Sequence, residues 1–333
     1  MADAARVGLS TISAFDQMMT PETGTLGSMT TPSEPLGPSG AILVTGATGF
    51  IGRALVPALV ARGCKVVATS RQYRETGSDG VEWRRCDLSQ SDAISGALSG
   101  IRVAYYLTHS MGGGAAHFRD LERRVAELFV AAAAAAGVER IVYLGGPAPL
   151  GIPSEHLRSR LEVGEVLRAG AVLTVELRAS MVVGSGSASW QIVRDLAVRL
   201  PFMVLPKWMS SRTRPVALDD VVDALVAAAD LPLDQSEWFD LPGPEILSGE
   251  QILQRIAALR GRRFIALKVP WLTPRLSALW LRLVTRTDFS LARELVLGLG
   301  EDLLPKDARF WPLIGHPELI SFDEAARRAL AAE

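Results

Sequence analysis

Cysteine is nearly missing from this chain, with two residues, Cys64 and Cys86, among 333. Both stand in strand-like runs and read as small core residues rather than a disulfide or metal pair. Histidine is almost as scarce. His109, His117, His156 and His316 have no acid or cysteine at ligand spacing, so no metal site is expected. Neither sign of charge is in excess: 35 Lys and Arg face 36 Asp and Glu, and no basic stripe is visible, which argues against a nucleic-acid partner. Long apolar runs are absent too. The longest, around Leu128 to Val138, is mostly alanine and too short to span a bilayer, so no integral membrane segment is expected. The N-terminus has no basic stretch followed by an apolar core, and a cytoplasmic location is the expectation.

What is present is apolar bulk, 48% of residues, enough for one large α/β unit or two domains. Residues 1–38 are rich in Ser, Thr, Pro, Gly and Met with little periodicity and read as a disordered tail, with Met29 as an alternative initiator. From Ala41 the pattern alternates strand and helix. Strands are expected at 41–45, 65–70, 81–86, 103–107, 140–144 and 173–178. The intervening helices end at Gly63, Gly100, Gly137 and Gly170. Six consecutive alanines, 131–136, suit close packing of one helix on the sheet. The alternation implies a Rossmann-type, doubly wound parallel sheet with right-handed crossovers.

The organising stretch is Ala41 to Gly52, AILVTGATGFIG. A buried strand, a sharp turn at Thr45–Gly46 and a helix follow one another, with Gly46, Gly49 and Gly52 at three-residue intervals. That order gathers backbone N–H groups at a positive helix end, which is a diphosphate site. Gly46 permits the turn, Gly49 lets backbone approach a pyrophosphate, and Gly52 lets helix and strand pack closely. A tight turn with no ligand is the alternative; the flanking strand and helix favour the cofactor. Thr48, Phe50 and Ile51 complete the expected loop.

Cofactor choice is read at the end of the second strand. A carboxylate there binds a ribose 2′-hydroxyl, whereas a guanidinium pairs with a 2′-phosphate. This chain has Thr69-Ser70-Arg71 with Arg74 nearby, and its first acid is Glu75. NADP(H) is therefore favoured over NAD(H), against the alternative that Arg71 is a solvated loop residue. Asp87 is placed to accept from an adenine amino group with Leu88 against the ring, or to cap its own turn. Leu107, Thr108 and His109 leave the fourth strand at the carboxyl edge of the sheet, where such folds bind ligands.

Together, TGATGFIG (45–52), CDL (86–88), YYLTHSMGGG (105–114), RIVYLGG (140–146), HLRSRLEVGEVLR (156–168), LRASMVVGSGS (177–187), RPVALDDVVDAL (214–225) and FDLPGPE (239–245) resemble an atypical short-chain dehydrogenase/reductase. The likeness is to its NAD(P)H-binding, NmrA-like and epimerase-like bacterial members, and it covers about Ala41 to Pro270. It implies an NAD(P)-binding domain over 39–215 and a C-terminal part, 216–333, that completes the sheet and covers a substrate cleft. It also implies a small-molecule substrate and leaves room for a homo-oligomer. Standard members carry Ser or Thr after the fifth strand, then Tyr-x-x-x-Lys. Here Gly145-Gly146 and His156-Leu-Arg-Ser-Arg160 stand instead. His156 and Arg160, four apart, share a helix face. Arg160 takes the lysine's place on the nicotinamide ribose but cannot relay a proton, whereas His156 can donate one near neutral pH. The alternative is that His156 packs the helix start and Arg160 pairs with Glu155 or Glu162.

Ser180, Met181 and the 184–187 loop follow the sixth strand, where relatives place nicotinamide and substrate. Lys207, Trp208, Arg212 and Arg214 form a basic, aromatic loop suited to an anionic or planar substrate, or an exposed surface loop. Asp219 and Asp220 read as an N-cap and dipole partner of the helix after them. Ser248 and Gln251 form a capping box before another helix. The Trp271–Val284 stretch is expected to bury against the main domain, with a lid or a membrane-surface helix as alternatives. The leading function is an NADP(H)-dependent reductase acting on a small apolar or aromatic metabolite by hydride transfer. A non-catalytic NADP(H)-sensing or assembly protein and a redox-neutral isomerase or epimerase are the alternatives.

Overall fold

Seven parallel strands form the central sheet. In chain order they are β1 (Ala41–Val44), β2 (Val66–Ser70), β3 (Glu82–Arg85), β4 (Ile101–Tyr106), β5 (Arg140–Gly145), β6 (Leu173–Arg178) and, after four short strands, β11 (Glu237–Asp240). The short ones are β7 (Val182–Val183), β8 (Met203–Pro206), β9 (Arg212–Thr213) and β10 (Val216–Ala217); β12 (Leu247–Ser248) and β13 (Ala266–Val269) follow β11. Helices α1 (Phe50–Ala61), α2 (Ser91–Leu98), α3 (Ala115–Ala135) and α4 (Glu155–Ala169) are the crossovers. Farther on come α5 (Ala188–Arg199), α6 (Leu218–Ala228), α7 (Gly249–Leu259) and α8 (Phe322–Ala331). This computed structural model describes residues 40–75, 80–108, 115–149, 151, 153–199, 203–269 and 301–333. The 1–38 tail, His109, Gly112–Gly114 and the Trp271–Val284 stretch lie outside the described residues.

The sheet order is β11-β6-β5-β4-β1-β2-β3, so the winding direction reverses between β1 and β4. A crevice opens at the carboxyl ends of the strands at such a reversal. All of β1 is buried, and its side chains alternate between two cores. Ile42 and Val44 pack with Leu55 and Leu59 of α1 and with α6, whereas Ala41 and Leu43 pack with Ile94 of α2 and Phe129 of α3. Strands covered on both faces read as unbroken apolar runs, which is why the periodicity here is weak and the composition strong. The third core joins Trp190 of α5, Ile252 and Ile256 of α7, and Phe322 of α8. Among the described residues, no helix is long and apolar enough to cross a membrane.

Helix ends follow local chemistry. Gly63 and Gly137 take positive φ, +79° and +73°, after α1 and α3. Ser248 accepts from Gln251 N while Gln251 Oε1 accepts from Ser248 N, the expected reciprocal cap. Other expectations are corrected. Only part of the alanine run packs on the sheet: Ala133 is buried in the core behind it and Ala132 half-buried, but Ala131, Ala134, Ala135 and Ala136 are exposed. A 3.6-residue period turns only part of any such run inward. Asp220 is not an N-cap. Helix α6 begins at Leu218 after Ala217, and the buried Asp220 carboxylate instead accepts from Ile320 N at 3.0 Å and meets His316 Nε2 at 3.3 Å. Neither cysteine lies in a strand; Cys64 precedes β2 and Cys86 follows β3, though Cys86 is buried.

One buried ionic cluster braces the sheet. Glu176 on β6 is fully buried and accepts from Arg168 Nε at 2.7 Å and Arg178 Nε at 2.8 Å. Gly164 makes room for it, since a Cβ there would fall 2.4 Å from Glu176 Oε1.

Candidate functional site

The glycine turn is held by contacts far away in sequence. Thr45 Oγ1 donates to the Tyr105 carbonyl at 2.9 Å and accepts from Leu107 N at 3.0 Å. This buried hydroxyl ties the end of β1 to the end of β4. Gly46 follows at φ +64°, where a Cβ would stand 2.7 Å from the Leu107 carbonyl oxygen. Gly49 N donates to Gly46 O at 2.8 Å, which closes the turn. A Cβ on Gly52 would lie 2.4 Å from that same oxygen. Gly49 is the N-cap of α1, no side chain caps it, and the first turn holds no acid. The N–H groups of Phe50, Ile51 and Gly52 thus open a helix whose first turn has no intrahelical acceptor. Donors without a built-in acceptor, at a dipole's positive end, fit a diphosphate. The Phe50 ring turns elsewhere, packing under the 184–187 loop near Gly184 and Gly186.

The ends of β2 and β3 carry the second group. Ser70 pairs in register with Arg85, and Arg71 is exposed just beyond. Arg74 stacks over Trp83 at 5.0 Å, so its guanidinium is engaged and Arg71 is the cation left at the strand end expected to meet a ribose. Asp87 Oδ1 accepts from Ser89 N at 3.0 Å and from Ser89 Oγ at 2.9 Å, the turn-capping arrangement. These two donors hold its carboxyl below the usual range, and the Arg71 charge adds to the effect. Leu88 is buried beside it. The cap uses Oδ1, so cap and adenine contact are compatible.

At the ends of β4 and β5 the chain is crowded and polar. Thr108 Oγ1 is buried with no partner at hydrogen-bonding geometry among the described residues. Burial pushes the neighbouring Tyr106 phenol well above its ordinary pKa, an effect that the Thr108 side chain opposes. Tyr143 OH donates to the Arg160 carbonyl at 3.1 Å, which fixes α4 against β5. A Cβ on Gly146 would meet Leu157 Cδ2 at 3.0 Å and Arg160 Cδ at 3.4 Å. The space beside Gly146 is thus taken by Leu157 and the flank of Arg160. Ser154 caps α4 by accepting from Leu157 N, which places half-buried His156 in the first turn, one helical turn before Arg160. Glu155 is taken by Arg119 at 3.2 Å and Arg158 at 3.0 Å, and Glu162 lies 3.5 Å from Arg119.

The basic loop is not what its composition suggests. Residues 203–213 include two short strands and a turn of 3-10 helix. Arg212 is held by Asp302 through Nε at 3.0 Å and Nη2 at 2.6 Å, so it is not a free clamp. Arg214 lies apart from that pair. The side chains of Lys207 and Trp208 lie outside the described residues. The hydroxyl of Thr45 was readable only as a turn residue; its sequence signal is its place directly before the first glycine. Thr108 was legible from its place at the end of the fourth strand; nothing local announced the Asp302 partner of Arg212.

Residues 46–198 match the NAD(P)H-binding family. The chain is 34% identical over 109 residues to 2-alkyl-3-oxoalkanoate reductase of Stenotrophomonas maltophilia, covering 32% of this chain and 33% of that protein. It is 34% identical over 125 residues to sterol demethylase protein B of Methylococcus capsulatus, covering 34% of this chain and 38% of that protein. The matched stretch spans about a third of the length of these curated relatives. Among solved structures, MoeE5 in complex with UDP-glucose and NAD superposes with a TM-score of 0.68 at 19% identity, covering 88% of this chain and 98% of that one. That likeness is one of fold.

Proposed function

We propose that the protein is an NADP(H)-dependent reductase of a small apolar or aromatic metabolite, a reading supported by the match of residues 46–198 to the NAD(P)H-binding family and by a fold shared with MoeE5. The observation that carries the reading is the glycine turn, stapled by Thr45 to the end of β4 and leading into a helix with no cap of its own. The N–H groups of Phe50, Ile51 and Gly52 hold the diphosphate, with Thr48 and the three glycines shaping the loop. Arg71, in place of the acid that favours NAD(H), pairs with the 2′-phosphate. Asp87 and Leu88 hold the adenine. Leu107 and Thr108 line the crevice, where the Thr108 hydroxyl, without a partner at hydrogen-bonding geometry among the described residues, gains an acceptor or donor from the ligand, and His109 is kept as a cofactor residue from the sequence alone. A nicotinamide held over the carboxyl edge supplies hydride chemistry that no side chain offers.

This chain's own part in the chemistry falls to α4. Arg160, laid against Gly146, holds the ribose as a fixed cation and moves no proton. His156 donates a proton to the oxygen that becomes an alkoxide, a role suited to a group that changes charge near neutral pH. The name of the reductase relative supports the reaction class. The test is NADPH oxidation with a panel of quinones, enones and 3-oxo compounds. His156→Ala is expected to lower kcat about 100-fold or more while leaving the NADPH dissociation constant unchanged. The glycine at position 146 favours a second reading, a cofactor sensor. Tight NADPH binding without turnover across the panel would establish it instead.

A further inference from the structure

Arg214 lies over the carboxyl ends of β6 and β11. Its carbonyl oxygen accepts from Ser180 Oγ at 3.1 Å and from Gly243 N at 3.3 Å. A Cβ on Gly243 would fall 1.5 Å from the Pro215 carbonyl oxygen, so the two backbones pass as closely as they can. The residue is therefore placed by its main chain. Its side chain is not placed by an ion pair. Among the described residues, Nη2 donates to the Pro244 carbonyl at 3.3 Å, and Nε is buried without an acceptor. Burial alone lowers the guanidinium's pKa from its ordinary value, with no carboxylate acting on it.

The contrast with Arg212, two residues earlier, is informative. Asp302 meets that guanidinium on two nitrogens, and the pair sits at an exposed position. The exposed Arg212 has a carboxylate partner, whereas the half-buried Arg214 has only the Pro244 carbonyl among the described residues. A buried cationic donor left unmatched is costly, and native proteins satisfy nearly all such groups. Among the described residues no acceptor meets Nε, which leaves one to be supplied by a group outside them. The place is right for a ligand: it adjoins Ser180 at the end of β6, and Val216 N, two residues on, donates to Met181 O at 2.9 Å. The 184–187 loop that follows rests on Phe50 of the diphosphate turn.

We infer that Arg214 anchors a carboxylate carried by the substrate, an inference that rests on the reading of this crevice as a reductase site. One guanidinium bears one positive charge, and its planar N–H fork matches a carboxylate bidentately. A phosphate dianion at the same place would leave charge uncompensated, because Asp302 already neutralises Arg212. The substrate class is thus a small apolar carboxylic acid.

The test is equilibrium binding of octanoate and benzoate, each beside its methyl ester, to the full chain with and without NADPH. Wild type is expected to prefer at least one acid over its ester by about 10- to 100-fold. Arg214→Gln abolishes that preference, Arg214→Lys retains part of it, and both keep the wild-type NADPH affinity and melting temperature as evidence of folding. The lysine variant, which keeps the charge, makes the result decisive even if the glutamine variant misfolds. Equal binding of acids and esters, no binding of either acid at millimolar concentration, or an undiminished preference in Arg214→Gln overturns the inference. Acid discrimination without NADPH oxidation counts against the reductase and leaves the anchor standing. Reduction of neutral enones with no acid discrimination removes the anchor and leaves the reductase.

Discussion

Replacing Gly46 by alanine, with Gly63→Ala as its control, isolates the close approach on which the cofactor turn depends. Both glycines are left-handed, at φ +64° and +79°. An L-residue there costs about 1–2 kcal/mol. At Gly63 a Cβ meets nothing within 4 Å, so that strain is the whole folded-state effect. Alanine also restricts the unfolded chain, which offsets about 0.4–1 kcal/mol, and the net loss is about 1 kcal/mol. At Gly46 the Cβ would lie 2.7 Å from Leu107 O and 2.9 Å from Leu107 C. Those atoms belong to backbone held by β4 and by Thr45, so the turn itself must move. Overpacking of this kind adds about 1–3 kcal/mol, for a total of about 2–4 kcal/mol. At roughly 2–4 °C per kcal/mol, the control lowers Tm by about 2–4 °C and Gly46→Ala by about 5–15 °C. NADPH titration by fluorescence is expected to give the control wild-type affinity and to weaken Gly46→Ala about tenfold or more. Equal losses of stability in the two variants, or wild-type affinity in Gly46→Ala, would refute the argument that the turn and the end of β4 form one rigid cradle.

Arg71→Ala is expected to weaken NADPH about 10- to 100-fold and to leave NADH unchanged, since only the phosphate loses a charged partner; parallel loss for both dinucleotides would show that Arg71 does not read the phosphate. Burial raises the Asp220 carboxyl above its ordinary pKa, more than Ile320 N and His316 lower it. The folded state therefore binds this proton more tightly than the unfolded chain, so stability falls as pH rises from about 4 through the raised value. Urea unfolding of Asp220→Asn should show a smaller loss between pH 4 and 7, and an unchanged pH profile would contradict the assignment. Glu176→Leu leaves Arg168 and Arg178 without their shared carboxylate inside the sheet and should cost about 3–5 kcal/mol in denaturant unfolding; a loss below about 1 kcal/mol would mean that the cluster relaxes into solvent.

Most of the fold was legible residue by residue. The strand at 41–44, the helix from Phe50, the turns at Gly63 and Gly137 and the Ser248–Gln251 box each depend on partners within about four positions. Glycine spacing announced the tight turn before α1 for the same reason. The place of the seventh strand, β11, beside β6 was not legible from local pattern. The alanine run misled because composition does not say which face of a helix meets the sheet. The basic loop was half legible: Arg212 and Arg214 are equivalent as letters, yet Asp302, 90 residues away, takes the first.

The chain's own order of residues therefore determined the elements, their alternation and the amide-lined bend, because φ preferences and 3.6- or 2-residue periods act between neighbours. The tertiary structure alone decided which polar groups are satisfied. Thr45 found Tyr105 and Leu107 about 60 residues on, Asp220 found Ile320 100 residues on, and Thr108 Oγ1 and Arg214 Nε found no partner among the described residues. The physical reason is that satisfaction depends on distance in space and on loss of water. Neither is set until the strands have stacked and the chain has closed over their carboxyl ends.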